Sequence, residues 1–437
     1  MGIIIRLVVF VCLCIPILQE GFYYNGALEI ISIVIAAICS ITLFLFNKES
    51  YSLYKVLIIF VTFFFCTAPI IQYKANIHFF GTMFTDKDYI ITSTYVLLIL
   101  VTVTYLYVIF RRFFDKKFKK RCEQVKFENV TEIKANKELL LILISASVCC
   151  YYLYINNFSI MSLLFRGGDF VDRVNQGQIE VLVANNFFRP MPMIIFLCAY
   201  TMKVKHKVVL PILFILMIIS SPPTGMARFS AAAIYMPVVL CTMPIFRKGH
   251  VFVMSMILGL LIVFPFLDNF RNMSEGNDIS LGFNFDQFLE LHFDAYSMFM
   301  RVLSEDIVTN GRQLLGSLLF FVPRSMWPNK PTGSGHYLME SMGADFTNVS
   351  MPYFGEAYIN FGVLGVILFV VLLAYIMAKF DSQYWSAHGH VGLNQIRYCI
   401  ILALLLFILR GDLMSSSAYT CGFLLSFYVI RWMLLYK

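Results

Sequence analysis

Long apolar runs alternate with short polar segments along almost the whole chain. A helix needs about 20 apolar residues to cross roughly 30 Å of hydrocarbon, and many of these runs approach that length. In chain order they predict twelve membrane-spanning helices, at 3–18, 27–46, 53–71, 89–110, 139–156, 190–202, 208–221, 229–246, 251–267, 357–379, 396–409 and 419–435. The runs at 190–202 and 208–221 are the weakest of the twelve.

This pattern predicts an all-α polytopic membrane protein with about 12 transmembrane helices and one long outer loop. Composition agrees, because 59% of the 437 residues are hydrophobic and only 14% are charged, against about 25% charged in soluble domains. The expected divisions are a first transmembrane bundle at 1–267, an extracytoplasmic loop at 268–356 and three last helices at 357–437. The lipid bilayer is therefore the first expected partner.

The basic residues predict the orientation. Assigning alternate loops to opposite sides places 22 of the 34 basic residues on one side and the other 12 on the opposite side. Because Lys and Arg accumulate on the cytoplasmic side, we expect both termini in the cytoplasm and the long loop outside. The same rule accounts for the formal net charge of +8, so no nucleic-acid partner is expected.

The outer side is unusually rich in arginine. Nine of its 12 basic residues are Arg, against seven of the 22 on the inner side. A guanidinium is a planar fork that can contact phosphate or carboxylate through two hydrogen bonds, whereas Lys satisfies the orientation rule equally well. The outer arginines are therefore candidates for binding an anion.

Within the long loop, apolar residues recur at helical spacing from 283 to 303, and Asp286, Glu290, Asp294 and Arg301 occupy the opposite face. The spacing predicts an amphipathic helix. Two placements are open: the helix lies along the membrane surface, or it packs on the spans.

Two short motifs follow, G-R-x-x-L-G at 311–316 and P-R-x-x-W-P-x-K-P at 323–331. The prolines and the tryptophan predict a rigid interfacial turn that brings Arg312, Arg324 and Lys330 beside the lipid headgroups. Such a set suits a lipid phosphate or pyrophosphate. The alternative is that Arg312 and Arg324 only hold the loop, by pairing with Glu305, Asp306 or Glu356.

Further arginines on the outer side extend the candidate set. Arg228 opens the eighth span, where a cation is costly unless it is paired or lines a polar cavity, although snorkelling to the headgroups is the alternative. Arg166 and Arg173 lie in the loop after the fifth span, and Arg271 begins the long loop. These three are candidates for substrate binding.

The segment G-E-A-Y-I-N-F-G at 355–362 opens the tenth span. Glu356 is a candidate general base if it is partly buried, and the alternative is a carboxylate favoured by the helix N-terminus. Asn360 and the glycines suit close helix packing. The seven His form no convincing metal set, and no nucleotide motif is present, so neither a metal nor a cofactor is expected.

The order of these motifs resembles that of the Wzy-type O-antigen and capsule repeat-unit polymerases. The resemblance covers mainly 221–365 and the helix number. Arg228 matches the helix-end arginine shared with O-antigen ligases, and 166–177 fits the family's R-x10-G spacing. The partner H-x7-G pattern is absent, because Gly343 follows His336 one residue too early.

The resemblance implies transfer of a growing glycan from undecaprenyl pyrophosphate onto a lipid-linked repeat unit, at the outer leaflet of the bacterial cytoplasmic membrane. It also implies a chain-length regulator and a flippase as candidate protein partners. Arg228, Arg312 and Arg324 would neutralise the pyrophosphate leaving group without a metal. Glu356 is the first and His336 the second candidate for the base that receives the acceptor's proton.

Three other functions fit parts of the sequence. An O-antigen ligase needs the same leaving-group chemistry, and the P-R-x-x-W-P-x-K-P segment favours a polymerase over it. A lipid-linked oligosaccharide flippase tends to show internal repeats and midplane charges, neither of which is evident here. A eukaryotic lumenal glycosyltransferase would use the glycosylation sequons at Asn157, Asn272 and Asn348, which also arise by chance.

Overall fold

The protein is helical throughout the part of the chain that this computed structural model describes, residues 2–45, 49–81, 83–122, 133–166, 173–268, 285–386 and 392–435. Those ranges contain no strand, only an isolated bridge between Ile133 and Val204. The expected all-α class is therefore confirmed.

Nineteen α-helices follow one another in the described ranges. The first ten are α1 Gly2–Leu18, α2 Gly26–Thr42, α3 Leu53–Phe60, α4 Ala68–Lys74, α5 Asp86–Cys122, α6 Ala135–Ile155, α7 Ile160–Leu164, α8 Gln178–Val183, α9 Met191–Met202 and α10 Val209–Ser220. The others are α11 Arg228–Thr242, α12 Val251–Leu258, α13 Phe264–Asp268, α14 Ala295–Ser304, α15 Arg312–Leu318, α16 Ser334–Ser341, α17 Tyr353–Ser386, α18 Leu393–Arg410 and α19 Leu413–Leu435.

Short π-helical segments join some of these helices end to end. The segment Val61–Thr67 connects α3 to α4, and Ala184–Phe188 connects α8 to α9. Gly259–Val263 does the same between α12 and α13. A π-segment keeps the backbone hydrogen-bonded, so each joined pair continues as one apolar helix.

Each of the twelve predicted spans overlaps a helix. Seven helical stretches of the described chain are long and apolar enough to cross a membrane: Leu53–Lys74, Asp86–Phe118, Ala135–Ile155, Ile179–Met202, Tyr353–Trp385, Leu393–Arg410 and Leu413–Leu435. Five shorter apolar helices of 10–17 residues coincide with the other five predictions. The chain is thus compatible with a helical membrane protein, and the number of twelve spans and the sides of the loops stay predictions.

The chain divides into two compact units, and each is made of separate stretches. Unit one comprises Met1–Lys117, Asn284–Ser382 and Ile408–Ser417. Unit two comprises Phe118–Phe283, Gln383–Phe407 and Ala418–Lys437. The expected divisions at 267 and 356 follow membrane topology rather than compactness, and they stay predictions.

The core of unit one is the helix Leu53–Lys74, of which almost the whole apolar stretch is buried. A helix that is apolar on all sides belongs inside a bundle. The Phe65 ring lies edge-on to Phe299 of α14 and to Phe354 of α17. This contact fixes the two helices that carry the polar groups described below.

Residues 285–303, the described part of the predicted amphipathic helix, pack inside unit one instead of lying free on a surface. Residues 285–293 form the two 3-10 turns Phe285–Leu289 and Leu291–Phe293, and α14 begins at Ala295. Every residue of 295–302 is buried, including Arg301 on the face that the sequence marks as polar. Of the two open placements, the structure favours packing on the spans.

A buried polar network fixes the first turn of α3. Asp381 of α17 accepts hydrogen bonds from the Leu53 and Tyr54 amides, at 2.9 and 3.3 Å, and from the Tyr107 hydroxyl at 2.8 Å. Arg111, beside this carboxylate, pairs with Glu49. A carboxylate at a helix N-terminus satisfies amides that have no partner within the helix.

We expect Asp381→Asn to lower the free energy of unfolding by about 1–3 kcal/mol, because one buried hydrogen-bond acceptor is lost. Asp345→Asn is the matched control, because Asp345 is exposed, and it should change stability by less than about 0.5 kcal/mol. Thermal unfolding of both variants in detergent measures the difference. Equal melting temperatures for the two variants would show that Asp381 does not stabilise this junction.

Candidate functional site

Helix α17 is broken just after Glu356 and Asn360. Phe361 (φ −144°, ψ 20°) and Gly362 (φ +60°, ψ −145°) leave the helical conformation, and a positive φ of this kind favours glycine. The segment before the break holds Glu356 and Asn360, and both are fully buried. Polar side chains buried at such a break need partners from elsewhere in the chain.

Glu356 finds its partners on two other helices. Its Oε2 accepts a 2.6 Å hydrogen bond from the Ser334 hydroxyl, at the start of α16. Its Oε1 accepts a 2.9 Å hydrogen bond from the Leu413 amide, the first residue of α19. The carboxylate therefore joins the beginnings of α16, α17 and α19.

Asp412 lies in the two-residue joint between α18 and α19. Its Oδ2 accepts the Gly335 amide at 3.2 Å, and its Oδ1 accepts the Met414 amide at 2.9 Å. Burial raises the pKa of the Asp412 carboxyl above its ordinary value, and these amide donors oppose the rise. A Cβ at Gly333 would lie 2.5 Å from Oδ2, so the chain approaches the carboxylate closely there.

The two carboxylates form one acid pair. Glu356 accepts from Ser334 and Leu413, and Asp412 accepts from the next residue of each helix start, Gly335 and Met414. The negative charges of the two carboxylates repel each other. Within the described chain, neither forms an ion pair with Lys, Arg or His. Two carboxylates in one buried place cannot both ionise cheaply, so we expect the pair to hold one proton. Such a pair can take up and release protons during a reaction.

Asn360 connects the backbone of α17, one turn after Glu356, to the start of α15, where Arg312 lies. Its Nδ2 donates to the Glu356 carbonyl at 2.9 Å, and its Oδ1 accepts the Leu314 amide at 2.7 Å. The Gly311 amide also donates to the Asn360 carbonyl, at 2.8 Å. The turn that carries Arg312 is thus attached one helical turn beyond Glu356. The Arg312 side chain is exposed and has no hydrogen bond or ion pair with the described residues.

Arg324 and Lys330 hold the proline-rich turn together. Lys330 is buried and donates to the carbonyls of Phe320 and Val322, at 2.6 and 2.9 Å. Burial lowers the pKa of the Lys330 ammonium. Arg324 is exposed and donates through one nitrogen to the Lys330 carbonyl at 2.9 Å. Lys330 is therefore engaged in the fold, whereas most of the Arg324 fork is open to a ligand.

In the alternative interpretation, Arg312 and Arg324 only hold the loop through ion pairs with acidic residues, and these ion pairs are not formed. Glu356 is bonded to Ser334 and the Leu413 amide, and the Asp306 carboxylate accepts the Tyr358 hydroxyl at 2.6 Å. Neither Arg312 nor Arg324 pairs with them or with Glu305, all of which lie in the described chain. The alternative role for these two arginines is therefore not supported.

His336 does not join the acid pair, although it follows Ser334 and Gly335 directly. Its side chain is half-exposed, and its Nε2 lies 3.8 Å from the Glu340 carboxylate one turn further along α16. No hydrogen bond links it to Glu356 or Asp412. His336 therefore lies outside the acid pair, and the order of Glu356 before His336 as proton acceptor stays a prediction.

Arg228 is the first residue of α11 in unit two, and it is buried. Its Nη1 donates to the Phe264 carbonyl at 3.0 Å, and the guanidinium lies 5.9 Å from the centre of the Phe264 ring. These contacts attach the start of α11 to α13. They leave the proposed anion-binding role of Arg228 untested.

The other candidate arginines are Arg173, Arg166 and Arg271. Arg173 stabilises its own loop, because it donates to Asn156 Oδ1 at 3.1 Å and to the Phe165 carbonyl at 2.8 Å. Arg166 is half-buried and has a partner. Arg271 lies outside the described residues. No three His, Cys, Asp or Glu side chains in the described chain are placed to hold a metal ion, and metal independence stays a prediction.

Asp412 and Ser334 were missed by the sequence analysis. Asp412 does have one indication in the sequence, since it is a charged residue in the short break between two apolar helices. Ser334 has none, because a serine after a glycine in a polar loop is unremarkable. Asn360 was assigned to helix packing, whereas its amide in fact anchors the Arg312 turn.

Arg410 fixes the joint that carries Asp412. Its Nη2 pairs with Asp294 at 2.6 Å, and its Nε donates to the His292 carbonyl at 3.2 Å. Both charged side chains are buried. Burial raises the pKa of Asp294, and the Arg410 charge opposes that rise. This ion pair attaches the end of α18 to the segment before α14.

We expect Arg410→Met to lower the free energy of unfolding by about 3–5 kcal/mol, because it leaves the Asp294 carboxylate buried without its cation. Adding Asp294→Asn should restore part of the loss. Arg312→Met is the matched control and should change stability by less than about 0.5 kcal/mol. Thermal unfolding in detergent compares the three, and a double variant no more stable than Arg410→Met would contradict this explanation.

Comparison with known proteins assigns no family to the chain. No protein-family model, curated protein or solved structure matches it. The case for a function therefore rests on the residues and on the geometry of the acid pair with its neighbouring arginine.

Proposed function

We propose that this protein is a polymerase that joins undecaprenyl-pyrophosphate-linked oligosaccharide repeat units into O-antigen or capsular polysaccharide. It would act at the outer leaflet of the bacterial cytoplasmic membrane, with the 268–356 loop in the periplasm and both termini in the cytoplasm. The observation that supports the proposal most is the buried Glu356–Asp412 pair, together with Arg312, which is exposed and unpaired among the described residues and begins the helix that Asn360 holds at its Leu314 amide.

The acid pair supplies the proton chemistry of the proposed transfer. A sugar hydroxyl is a weak nucleophile, so its proton has to leave as the new glycosidic bond forms. The pair, holding one proton and one negative charge, can receive that second proton. The new carbon–oxygen bond forms at the donor sugar while the bond from that sugar to the pyrophosphate breaks. A correctly placed base of this kind contributes about 10²–10⁴-fold in rate.

The exposed arginines supply the charge that the leaving group requires. Negative charge develops on the pyrophosphate as its bond to the sugar breaks, and fixed cations stabilise that charge. Arg312 and Arg324 have guanidinium nitrogens without partners among the described residues, so each can contact two phosphoryl oxygens. Arg228 in unit two, Arg166, Arg173 and Arg271 stay candidates for binding the substrate.

The energy of the reaction would come from the donor's own phosphoester bond. The chain carries no nucleotide-binding motif, which agrees with that source. The proposed partners are lipid-linked oligosaccharides and the bilayer, together with a chain-length regulator and a flippase.

A flippase is the second candidate, and one observation favours it. Broken helices with buried polar residues are common at the substrate sites of transporters, and α17 breaks at Phe361 and Gly362 beside Glu356. The observations that favour the enzyme are the buried acid pair and the exposed Arg312, which has no hydrogen bond or ion pair with the described residues. An O-antigen ligase would use the same chemistry with a different acceptor.

Deletion of the gene distinguishes the three functions on a gel of surface glycan. A polymerase mutant leaves lipid core capped with a single repeat unit. A ligase mutant leaves uncapped core and accumulates polymer, and a flippase mutant accumulates the lipid-linked unit on the inner leaflet. The proposal predicts the first pattern, and either of the others would contradict it.

We expect Glu356→Gln and Asp412→Asn to reduce polymer formation by at least 100-fold, because each removes one of the two carboxyl groups that together hold and receive the proton. Glu340→Gln on the exposed side of α16 is the matched control and should keep normal chain length. Immunoblots confirm that each variant accumulates in the membrane. Normal polymer from membranes containing Glu356→Gln would refute the role of the pair.

We expect Arg312→Ala to abolish polymer while the protein still accumulates, since its side chain is exposed and forms no hydrogen bond or ion pair with the described residues. Arg228→Ala should have the same effect on the glycan. Arg312→Lys should rescue only partly, because an ammonium cannot reproduce the two-pronged contact. Full rescue by lysine would mean that charge alone matters, and normal chain lengths in both alanine variants would exclude these roles.

A further inference from the structure

Arg301 is a buried cation whose hydrogen-bonding capacity is only partly used. It lies in the last turn of α14, and its side chain is 1% exposed. Only two polar contacts reach its Nη1: the Glu305 carboxylate at 3.4 Å and the Met342 sulfur at 3.1 Å. Its Nη2 is buried and has no hydrogen-bond partner among the described residues.

The surroundings of Arg301 compensate its charge poorly. The guanidinium lies 5.2 Å from the centre of the Phe84 ring, and a thioether is a weak acceptor. Glu305 is partly exposed, so its attraction is screened by solvent. Burial accordingly lowers the pKa of the Arg301 guanidinium, and Glu305 opposes that change. The C-terminal end of α14 favours a cation here but gives Nη2 no acceptor.

Arg410 shows what a structural arginine looks like in the same unit. It pairs with Asp294 at 2.6 Å and also donates to the carbonyls of His292 and Leu291. Arg301, which is buried more deeply, has no comparable partner. A buried guanidinium with an unpartnered donor destabilises a fold. Proteins commonly retain such an arginine where it binds a ligand.

Helix α16 connects Arg301 to the acid pair. Met342, the residue that ends α16, contacts the guanidinium. At the other end of the same helix, Ser334 and Gly335 donate to Glu356 and Asp412. Eight helical residues span about 12 Å, so the cation and the carboxylates lie at opposite ends of a short, rigid element.

We propose that Arg301 is an anion-binding residue that contacts phosphoryl oxygens through Nη2. Resting on the proposed function, we assign this anion to the pyrophosphate of the lipid-linked substrate. The unpartnered donor then binds the phosphoryl group while the acid pair at the far end of α16 receives the proton. The same chemistry suits a phospholipid headgroup, so the test includes both sources.

The test is thermal unfolding of the purified full-length protein in detergent, with and without inorganic pyrophosphate. In the wild type, pyrophosphate at about ten times its dissociation constant should raise the melting temperature by about 2 °C. Arg301→Met should lose this shift and Arg301→Lys should keep part of it. Without pyrophosphate, Arg301→Met should melt at the wild-type temperature or higher, because it removes a buried, poorly paired charge.

Arg410→Met is the matched control for this measurement. It should melt at a lower temperature than the wild type and yet keep the pyrophosphate-induced shift. If Arg301→Met also melts lower and keeps the full shift, Arg301 is a structural residue and the inference is overturned. A wild type without any shift from pyrophosphate or lipid overturns it as well.

Nanodiscs separate the two sources of phosphate. An Arg301-dependent shift in phosphatidylglycerol discs relative to phosphatidylcholine discs, without a pyrophosphate effect, supports the anion site and assigns it to a headgroup. The glycan assay of Glu356→Gln tests the proposed function separately. Normal polymer from Glu356→Gln with an Arg301-dependent pyrophosphate shift would contradict the role of the acid pair and leave the anion site supported.

Discussion

The burial of two carboxylates at one joint of an apolar protein is the constraint on which the rest of this account depends. In the described chain, Glu356 and Asp412 form no ion pair with a cation. Their carboxylate oxygens instead accept hydrogen bonds from a hydroxyl and from amides at the starts of α16 and α19. Such an arrangement costs stability compared with apolar packing. In the proposed function, the proton that the pair can hold takes part in the transfer.

The basic residues of unit one fall into two physical classes. Arg410 and Lys330 are buried and donate to carboxylate or carbonyl oxygens, so they stabilise joints and turns. Within the part of the chain that the structure describes, Arg312 is exposed without a polar partner, and Arg301 is buried with an unused donor. In the sequence all four are simply basic residues on the expected outer side, so only their contacts distinguish structural cations from those available to a ligand.

The runs of apolar residues were sufficient to predict the helices. In lipid, a single run can satisfy the hydrogen bonds of its own backbone only as a helix. Glu356 could also be identified, since a carboxylate at the start of an apolar span is conspicuous. The contacts of Asp412 and Ser334 could not be predicted, because they join α16, α17 and α19 across 22 to 77 positions of sequence. The burial of Arg301 was likewise hidden, because an amphipathic pattern does not say what covers its polar face.

The central claim is that Glu356 and Asp412 act as one unit that holds a single proton. Infrared difference spectroscopy of the purified protein at pH 7, wild type against Glu356→Gln, measures this directly through the carbonyl stretch of a protonated carboxyl group. We expect one carbonyl band from a protonated carboxyl group in the wild type. This band should be lost in Glu356→Gln and shifted in Asp412→Asn. A wild-type spectrum that lacks the band, or one that Asp412→Asn leaves unchanged, would contradict it.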